Sequence, residues 1–90
     1  MANSTENIAI NITYYRCTQG LTQEALSEMS NISCDYLSEI ERKKKTPSIK
    51  CLDKISFNLQ LETYKLLKNP SQKKIKFYKS NKILRKNHQV

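Results

Sequence analysis

Two short helical segments, separated by only a few residues, occupy the middle of this 90-residue chain. Residues 22–30 and 33–42 carry apolar side chains at helical spacing, and a break at 30–32 (Ser-Asn-Ile) lies between them. Thr22 and Ser33 stand where each segment begins, and their side-chain oxygens are typical N-cap acceptors. The sequence therefore predicts two helices joined by a tight turn, one supporting the other.

The rest of residues 1–69 also has the apolar spacing of helices. Ser48 is a further candidate cap, and Gly20, the only glycine in the chain, is expected to close the first helix. The residues expected to face the core are Ile8, Ile12 and Tyr15, then Ala25, Leu26 and Met29, then Leu37 and Ile40, then Ile49, Leu52, Ile55 and Leu59, and finally Leu61, Tyr64 and Leu67. No segment alternates like a strand, so the predicted fold class is all-α with five helices.

A loop and a tail flank the last predicted helices. Pro47 disfavours helical geometry at Thr46, so residues 42–47 are predicted to form a loop. Asn-Pro-Ser at 69–71 is expected to end a compact domain of residues 1–69, which leaves 70–90 as a tail. The pattern leaves open whether this tail is a strand, a helix or a mobile arm. Its larger apolar residues favour partial order and a role in oligomerisation over a purely electrostatic arm: Ile75, Phe77, Tyr78, Ile83 and Leu84.

The positive charge is unevenly distributed along the chain. Sixteen basic residues against eight acidic ones give a net charge of +8, which favours a polyanionic partner. Residues 1–69 hold nine of the basic residues and all eight acidic ones, whereas residues 70–90 hold seven basic residues and no acidic residue. A nearly neutral domain with a basic tail indicates specific docking supported by long-range attraction.

Several function classes find no support in the sequence. No stretch approaches the roughly 20 apolar residues of a membrane span, and the N-terminus lacks the pattern of a signal peptide. Cys17, Cys34 and Cys51 have no paired Cys-x-x-Cys spacing, which favours reduced thiols in the cytoplasm over disulfides or zinc. With a lone His88 and no glycine-rich phosphate loop, the chain is expected to be neither an enzyme nor dependent on a cofactor.

Specific residues distinguish the two predicted helices from a generic pair of helices joined by a short turn. Residues 20–27 read GLTQEALS, and 36–42 read YLSEIER. Ile32 and Ser33 lie between them, while Pro47, Ser48, Ile49 and Leu52 follow. At this spacing the sequence, from about residue 8 to 67, resembles the Cro/cI-type helix-turn-helix family of lambda-repressor-like, xenobiotic-response-element regulators. The resemblance implies a compact five-helix domain that binds double-stranded operator DNA, usually as a homodimer.

The start of the third helix is the part of such a domain that reaches deepest into the major groove. By resemblance, the base-reading positions fall on Cys34, Asp35, Ser38 and Glu39. Asp35 or Glu39 can accept a hydrogen bond from cytosine N4, and Ser38 can serve either kind of base. Asp35 also complements the positive end of the helix, and the two roles are compatible. Cys34 can make binding sensitive to oxidation, although a passive small residue is the favoured interpretation.

A second set of residues is expected to contact the DNA backbone. Gln23 resembles the phosphate-binding glutamine of the family, and Ser33 opens the recognition helix. Tyr36 either reaches a phosphate with its hydroxyl or packs at the edge of the domain. The charge run Arg42, Lys43, Lys44 and Lys45 follows the recognition helix, which favours phosphate binding over a merely solvated loop.

The resemblance also implies structural roles. The matching arginine and glutamate of the family form a partly buried ion pair between the first and third helices, which assigns that role to Arg16 and Glu41. The family often has glycine where this chain has Asn31, Lys43 and Gln60. Asparagine tolerates the left-handed conformation that such positions need, whereas Lys43 is expected to carry modest strain.

Three function hypotheses follow. The first is a repressor of a phage, mobile element or restriction–modification operon. The second is an antitoxin-like protein that binds its own promoter and wraps a toxin with residues 70–90. The third is a protein-interaction module that has lost DNA binding. The acidic, arginine-free reading surface favours this hypothesis, whereas the basic run at 42–45 argues against it.

Overall fold

A computed structural model of the chain describes the backbone of residues 3–88 and the side chains of residues 3–81. Within 3–88 there are six helices and no strand, so the all-α prediction is confirmed. The helices are α1 (Ser4–Thr18), α2 (Gln23–Met29), α3 (Cys34–Glu41), α4 (Ile49–Asn58), α5 (Tyr64–Leu67) and α6 (Gln72–His88). The first five are those expected from the apolar spacing, and the tail forms the sixth.

Four of the helices begin at a side chain that accepts a hydrogen bond from the backbone. Each cap lies in extended conformation and binds the amide three residues later, satisfying one of the free N–H groups of the first turn. These bonds join Asn3 to Glu6 (2.8 Å), Thr22 to Ala25 (2.9 Å), Ser33 to Tyr36 (3.0 Å) and Ser48 to Cys51 (3.1 Å). The predicted caps Thr22, Ser33 and Ser48 are confirmed.

The first four helices also end in the same way. The residue after each C-cap has a positive φ: 73° at Gly20, 56° at Asn31, 65° at Lys43 and 60° at Gln60. At each end two backbone amides turn back onto the last turn, as in the Schellman motif. At α3, for example, Lys43 N–H donates to the Ile40 carbonyl (3.1 Å) and Lys44 N–H to that of Glu39 (2.9 Å). The three positions at which the family often has glycine are therefore left-handed here as well.

Replacing Gln60 with glycine is expected to raise the free energy of unfolding by about 1 kcal/mol, because a side chain in the left-handed region costs roughly 1–2 kcal/mol. Gln60 is exposed, so little packing is lost. Urea unfolding gives the measurement. The control is Lys54→Gly within α4, which is expected to lower stability by about 1 kcal/mol. A Gln60→Gly variant that is no more stable than the parent would contradict the idea of strain at this position.

The core lies where α1, α2, α3, α4 and α5 meet. Its buried members are Ile8, Ile12, Leu26, Leu37, Ile40, Cys51, Leu52, Ile55, Leu59 and Leu66. Most of the predicted core residues are among them, and three more are half-buried: Tyr15, Ala25 and Leu61. The other four predicted core residues remain substantially exposed: Met29 (48%), Ile49 (66%), Tyr64 (55%) and Leu67 (38%).

Leu66, not Leu67, fills the core from α5, and a buried asparagine explains the difference. The side-chain amide of Asn11, which is fully buried in α1, donates to the Leu66 carbonyl (3.0 Å) and to the Lys68 carbonyl (2.9 Å). These two bonds fix the rotation of α5 about its axis. Since α5 is a single turn, its own sequence is too short for apolar spacing to decide which leucine faces inward.

The first part of α6 packs against α1. Ile75 and Tyr78 contact Ala9 and Ile10, and Tyr78 is only 4% exposed. Phe77 meets Tyr14 edge to face, with ring centroids 5.4 Å apart. Of the three conformations that the sequence left open for the tail, the structure has a helix. The division into two parts at residue 69 stays a prediction, and the side chains of Ile83, Leu84 and His88 lie outside the described residues.

Candidate nucleic-acid interface

Helix α3 divides sharply between a buried side and an exposed side. Leu37, Ile40 and Glu41 are completely buried. Asp35 is exposed, whereas Cys34, Ser38 and Glu39 are half-buried. The four residues predicted to read bases therefore all retain access to solvent, and the helix that carries them is held by its opposite side. An exposed edge of this kind on a rigidly seated helix can enter a DNA groove.

The acidic residues on this edge differ in their surroundings. The Lys45 ammonium lies 3.3 Å from the Glu39 carboxylate, and the side chain of Arg42 donates to the Ser38 carbonyl (3.3 Å). Asp35 forms no ion pair among the described side chains. Glu39 is thus partly neutralised by the residues that follow α3, while Asp35 remains available to a partner.

Tyr36 packs at the domain edge. Its ring contacts the core, and the Lys45 ammonium lies 5.8 Å from the ring centroid. Burial raises the pKa of Tyr36, and the neighbouring Cys51 adds to the shift. Burial also raises the pKa of the Cys51 thiol. The sequence allowed two roles for Tyr36, and this geometry corresponds to packing at the domain edge. Phosphate binding by the hydroxyl stays a prediction.

Arg16 and Glu41 form a buried ion pair between α1 and α3. Arg16 Nε lies 2.7 Å from Glu41 Oε2, and its Nη2 lies 2.9 Å from Oε1. The remaining guanidinium nitrogen donates to the Leu21 carbonyl (2.7 Å). Burial by itself lowers the pKa of Arg16, but the hydrogen bonds and charge of Glu41 outweigh it and raise the pKa. The guanidinium therefore stays charged and fixes the end of the recognition helix.

Two further side chains complete the shell around the Glu41 carboxylate. The Thr13 hydroxyl and the Gln23 side-chain amide both donate to Oε1, each at 3.1 Å. Gln23, predicted to bind phosphate, thus uses one of its two amide hydrogens within the protein and retains the other. The family resemblance indicated the Arg16 and Glu41 partners, but nothing along the chain connects Thr13 and Gln23 with them.

The basic loop, defined as residues 42–45, follows α3 directly. All four side chains are exposed. Lys43 is held from two sides, since its ammonium lies 3.0 Å from the Glu6 carboxylate and 5.1 Å from the centroid of the Tyr78 ring. Beyond the loop, the hydroxyl of Thr46 hydrogen-bonds that of Thr5. No sequence signal connects Glu6 or Tyr78 with this loop, because both lie far from it along the chain.

Other kinds of site are not evident in the part of the chain that the structure describes. None of its acidic, histidine and cysteine side chains cluster in a way that could hold a metal ion. No disulfide joins Cys17, Cys34 or Cys51 in this part of the chain. No helix within residues 3–88 is both long enough and apolar enough to cross a membrane.

A helix-turn-helix family model matches residues 12–64, which is more than half of the chain. Curated protein sequences gave no match. Several solved structures are similar to this chain. One is a hypothetical transcription factor from Neisseria, with 27% identity, a TM-score of 0.73, and coverage of 83% of this chain and 85% of that one.

Two other structures are similar as well. The clp gene regulator ClgR from Corynebacterium glutamicum is 28% identical over 74% of this chain and 87% of its own, with a TM-score of 0.69. The restriction-modification controller protein C.Esp1396I is 28% identical over 74% of this chain and 90% of its own, with a TM-score of 0.66. The match over residues 12–64, together with the geometry of α2 and α3, shows that the chain belongs to the Cro/cI-type helix-turn-helix family of DNA-binding transcriptional regulators.

Proposed function

We propose that this regulator is a cytoplasmic repressor that binds a two-fold symmetric operator as a homodimer, with α3 in the major groove. The observation that carries the proposal is the construction of α3. Its inner side is fixed by the buried pair Arg16–Glu41, and its outer edge presents Asp35, Ser38 and Glu39. The similarity to the restriction-modification controller C.Esp1396I (28% identity) supports a role in controlling a restriction–modification operon or a comparable operon of a mobile element.

Affinity for DNA is expected to come mainly from the basic loop. Its four cations follow α3 without interruption, and all are exposed. Each cation that neutralises a phosphate releases counterions, so binding is expected to weaken steeply as salt rises. The edge of α3, by contrast, is small and slightly acidic. Affinity and base preference are therefore expected to depend on different parts of the chain, the basic loop and the exposed edge of α3.

Base preference is expected to depend on Asp35 more than on Glu39. Asp35 is exposed, whereas Glu39 already has Lys45 as a partner at 3.3 Å. A carboxylate in the major groove accepts a hydrogen bond from cytosine N4 and repels the acceptor atoms of guanine and thymine. Glu39 takes the same role only if Lys45 turns away to a phosphate.

Replacing Asp35 with alanine is expected to relax preference at one base pair in each half-site by about 1–3 kcal/mol. Loss of its favourable place at the helix N-terminus is expected to lower the free energy of unfolding by less than about 1 kcal/mol. Competition binding with single-base variants of the operator gives the first quantity, and urea unfolding gives the second. If the base preference is unchanged while stability falls, Asp35 acts only on the helix.

A homodimer fits the size of the protein. The protein measures 31 × 29 × 23 Å, so two copies side by side along either of the two longer axes have centres about 30 Å apart. Successive major-groove half-sites on one face of DNA lie roughly 34 Å apart. Ile75 and Tyr78 pack on α1 of their own chain, so we expect the dimer interface to lie elsewhere on the surface. Phe57 (79% exposed) and Met29 (48%) are the apolar side chains that we expect a second copy to cover.

Selection of bound duplexes from a random DNA pool tests the proposal, with sedimentation velocity of the full chain beside it. The expected result is an inverted repeat with half-sites about one helical turn apart and a complex of two protomers per site. Selection of a single, asymmetric half-site would contradict the dimeric arrangement, and a pool without enrichment would contradict specific binding. The alternative function is that of an antitoxin-like protein. Within residues 72–81 of α6, a toxin would then have to bind the side opposite Ile75 and Tyr78, because those two residues pack on α1.

A further inference from the structure

The end of α3 is fixed from two directions, and only one of them was indicated by the sequence. The Glu41 side chain is held by Arg16 of α1. The Glu41 backbone carbonyl, one of the last four of α3, accepts a hydrogen bond from the Tyr78 hydroxyl of α6 at 2.5 Å. Both groups are buried, so water cannot easily replace this bond.

The Tyr78 ring also contacts the basic loop. Lys43 has a φ of 65°, which turns the chain sharply at the first residue after the C-cap. Its ammonium lies 5.1 Å from the centroid of the Tyr78 ring, which is cation–π distance, and forms an ion pair with Glu6 of α1. The side chain of Lys43 therefore points toward α1 and α6.

The contacts of Lys43 determine where the next residues can point. The Lys44 N–H donates a hydrogen bond to the Glu39 carbonyl (2.9 Å), so the backbone of the loop is tied to the last turn of α3. Lys44 and Lys45 are exposed. Once the Glu41 carbonyl and the Lys43 side chain are fixed, the path of the backbone from which the two following lysines extend is fixed relative to the recognition helix.

We infer that Tyr78 of α6 is a positioning residue for DNA binding: through the Glu41 carbonyl and Lys43 it holds the basic loop in the arrangement that contacts phosphates. This inference rests on the proposed DNA-binding role of the loop. It gives the first half of the basic tail a function inside its own domain. The hydroxyl aligns the cations of the loop, and α6 needs no DNA contact of its own to affect affinity.

Tyr78→Phe tests the inference because it keeps the ring and removes only the hydroxyl. Affinity for a synthetic mixed-sequence duplex is expected to fall roughly three- to ten-fold, the equivalent of one hydrogen bond. The slope of log K against log salt is expected to become shallower by about 0.9 for each phosphate that the loop no longer neutralises. Both are measured well below the melting temperature, where loss of stability alone changes neither.

Amide hydrogen exchange supplies a readout that needs no DNA. The Lys43 and Lys44 amides close the end of α3, and Asn31 and Ile32 close the end of α2 with the same pair of bonds. Tyr78→Phe is expected to speed exchange at the first pair and leave the second unchanged. The matched control is Tyr15→Phe, which removes a hydroxyl bonded to Lys74 at the same α1–α6 contact (2.9 Å). It is expected to leave exchange at Lys43 and Lys44 and the salt slope unchanged.

Each outcome decides a separate question. Unchanged exchange at Lys43 and Lys44 in Tyr78→Phe, or an equal change in Tyr15→Phe, would overturn the positioning role. Faster exchange with unchanged affinity and slope would overturn its connection to DNA binding. If the parent protein fails to bind any duplex, the proposed function itself fails, while the exchange data still report whether Tyr78 holds the loop.

Discussion

Replacing Arg16 with alanine is expected to lower the free energy of unfolding by about 3–5 kcal/mol, because it leaves a buried carboxylate without its counter-charge. Glu41 is completely buried. Thr13 and Gln23 still donate to it, but neither carries a charge. The Leu21 carbonyl, which Arg16 also binds, loses a donor at the turn between α1 and α2. For a domain of this size such a loss is a large part of the whole stability.

Urea and thermal unfolding measure this effect, and two further variants show where it comes from. Arg16→Lys keeps the charge but cannot donate to both carboxylate oxygens and the Leu21 carbonyl together, so an intermediate loss is expected. Lys45→Ala breaks an exposed pair with Glu39, and the expected loss is below about 1 kcal/mol. An Arg16→Ala protein with an unchanged melting temperature would refute the structural role.

The double variant Arg16→Leu with Glu41→Leu is expected to recover much of the loss, because a buried apolar pair often replaces a buried ion pair at little cost. The base preference of a folded Arg16 variant is expected to match that of the parent, since neither Arg16 nor Glu41 lies on the exposed edge of α3. A changed preference would mean that the pair also sets the angle at which α3 meets DNA.

Neutralising the basic loop is the second change with a large expected effect, this time on DNA binding. Glutamine at Arg42, Lys44 and Lys45 is expected to reduce the salt slope by about 0.9 for each side chain that binds a phosphate. Binding is expected to weaken for all sequences alike, because phosphate contacts carry no base information. Lys43 is left in place since it contacts Glu6 and Tyr78.

The control for this variant removes the same charge elsewhere. Glutamine at Lys54, Lys65 and Lys68 lowers the net charge equally, but these residues lie on α4, on α5 and after α5. Binding isotherms across a salt series compare the two proteins. An equal drop in affinity and slope in both would show that overall charge, rather than the basic loop, attracts DNA, and would contradict the assignment.

Local signals explain why the helices of the domain could be predicted. Thr22, Ser33 and Ser48 each bind an amide three residues away, so the information for a helix start lies within one turn of chain. The Schellman ends at Asn31 and Gln60 are similarly local. Resemblance to the family then identified Arg16 and Glu41, 25 positions apart, as candidates for a pair that spacing alone would not connect.

The predictions that failed concern the rotation of short or terminal helices. Met29 and Ile49 lie at the last and first positions of their helices, where a residue can point past the core. Leu67 was expected inside, but the bonds from Asn11 bring Leu66 inward. In the tail, lysines surround the apolar residues, so spacing did not distinguish a helix from a strand.

The helix-turn-helix itself was determined by the sequence, because caps, turns and apolar spacing act within a few residues. What holds its end was decided only by the tertiary structure. Thr13 and Gln23 meet at one oxygen of Glu41, and the Tyr78 hydroxyl reaches a carbonyl 37 residues earlier in the chain. Such contacts depend on where whole helices pack. Every residue has a backbone carbonyl, so the residue type does not indicate which carbonyl will accept a hydrogen bond. The residues on the exposed edge of α3 could therefore be predicted from local patterns, whereas the contacts that support α3 from behind could not.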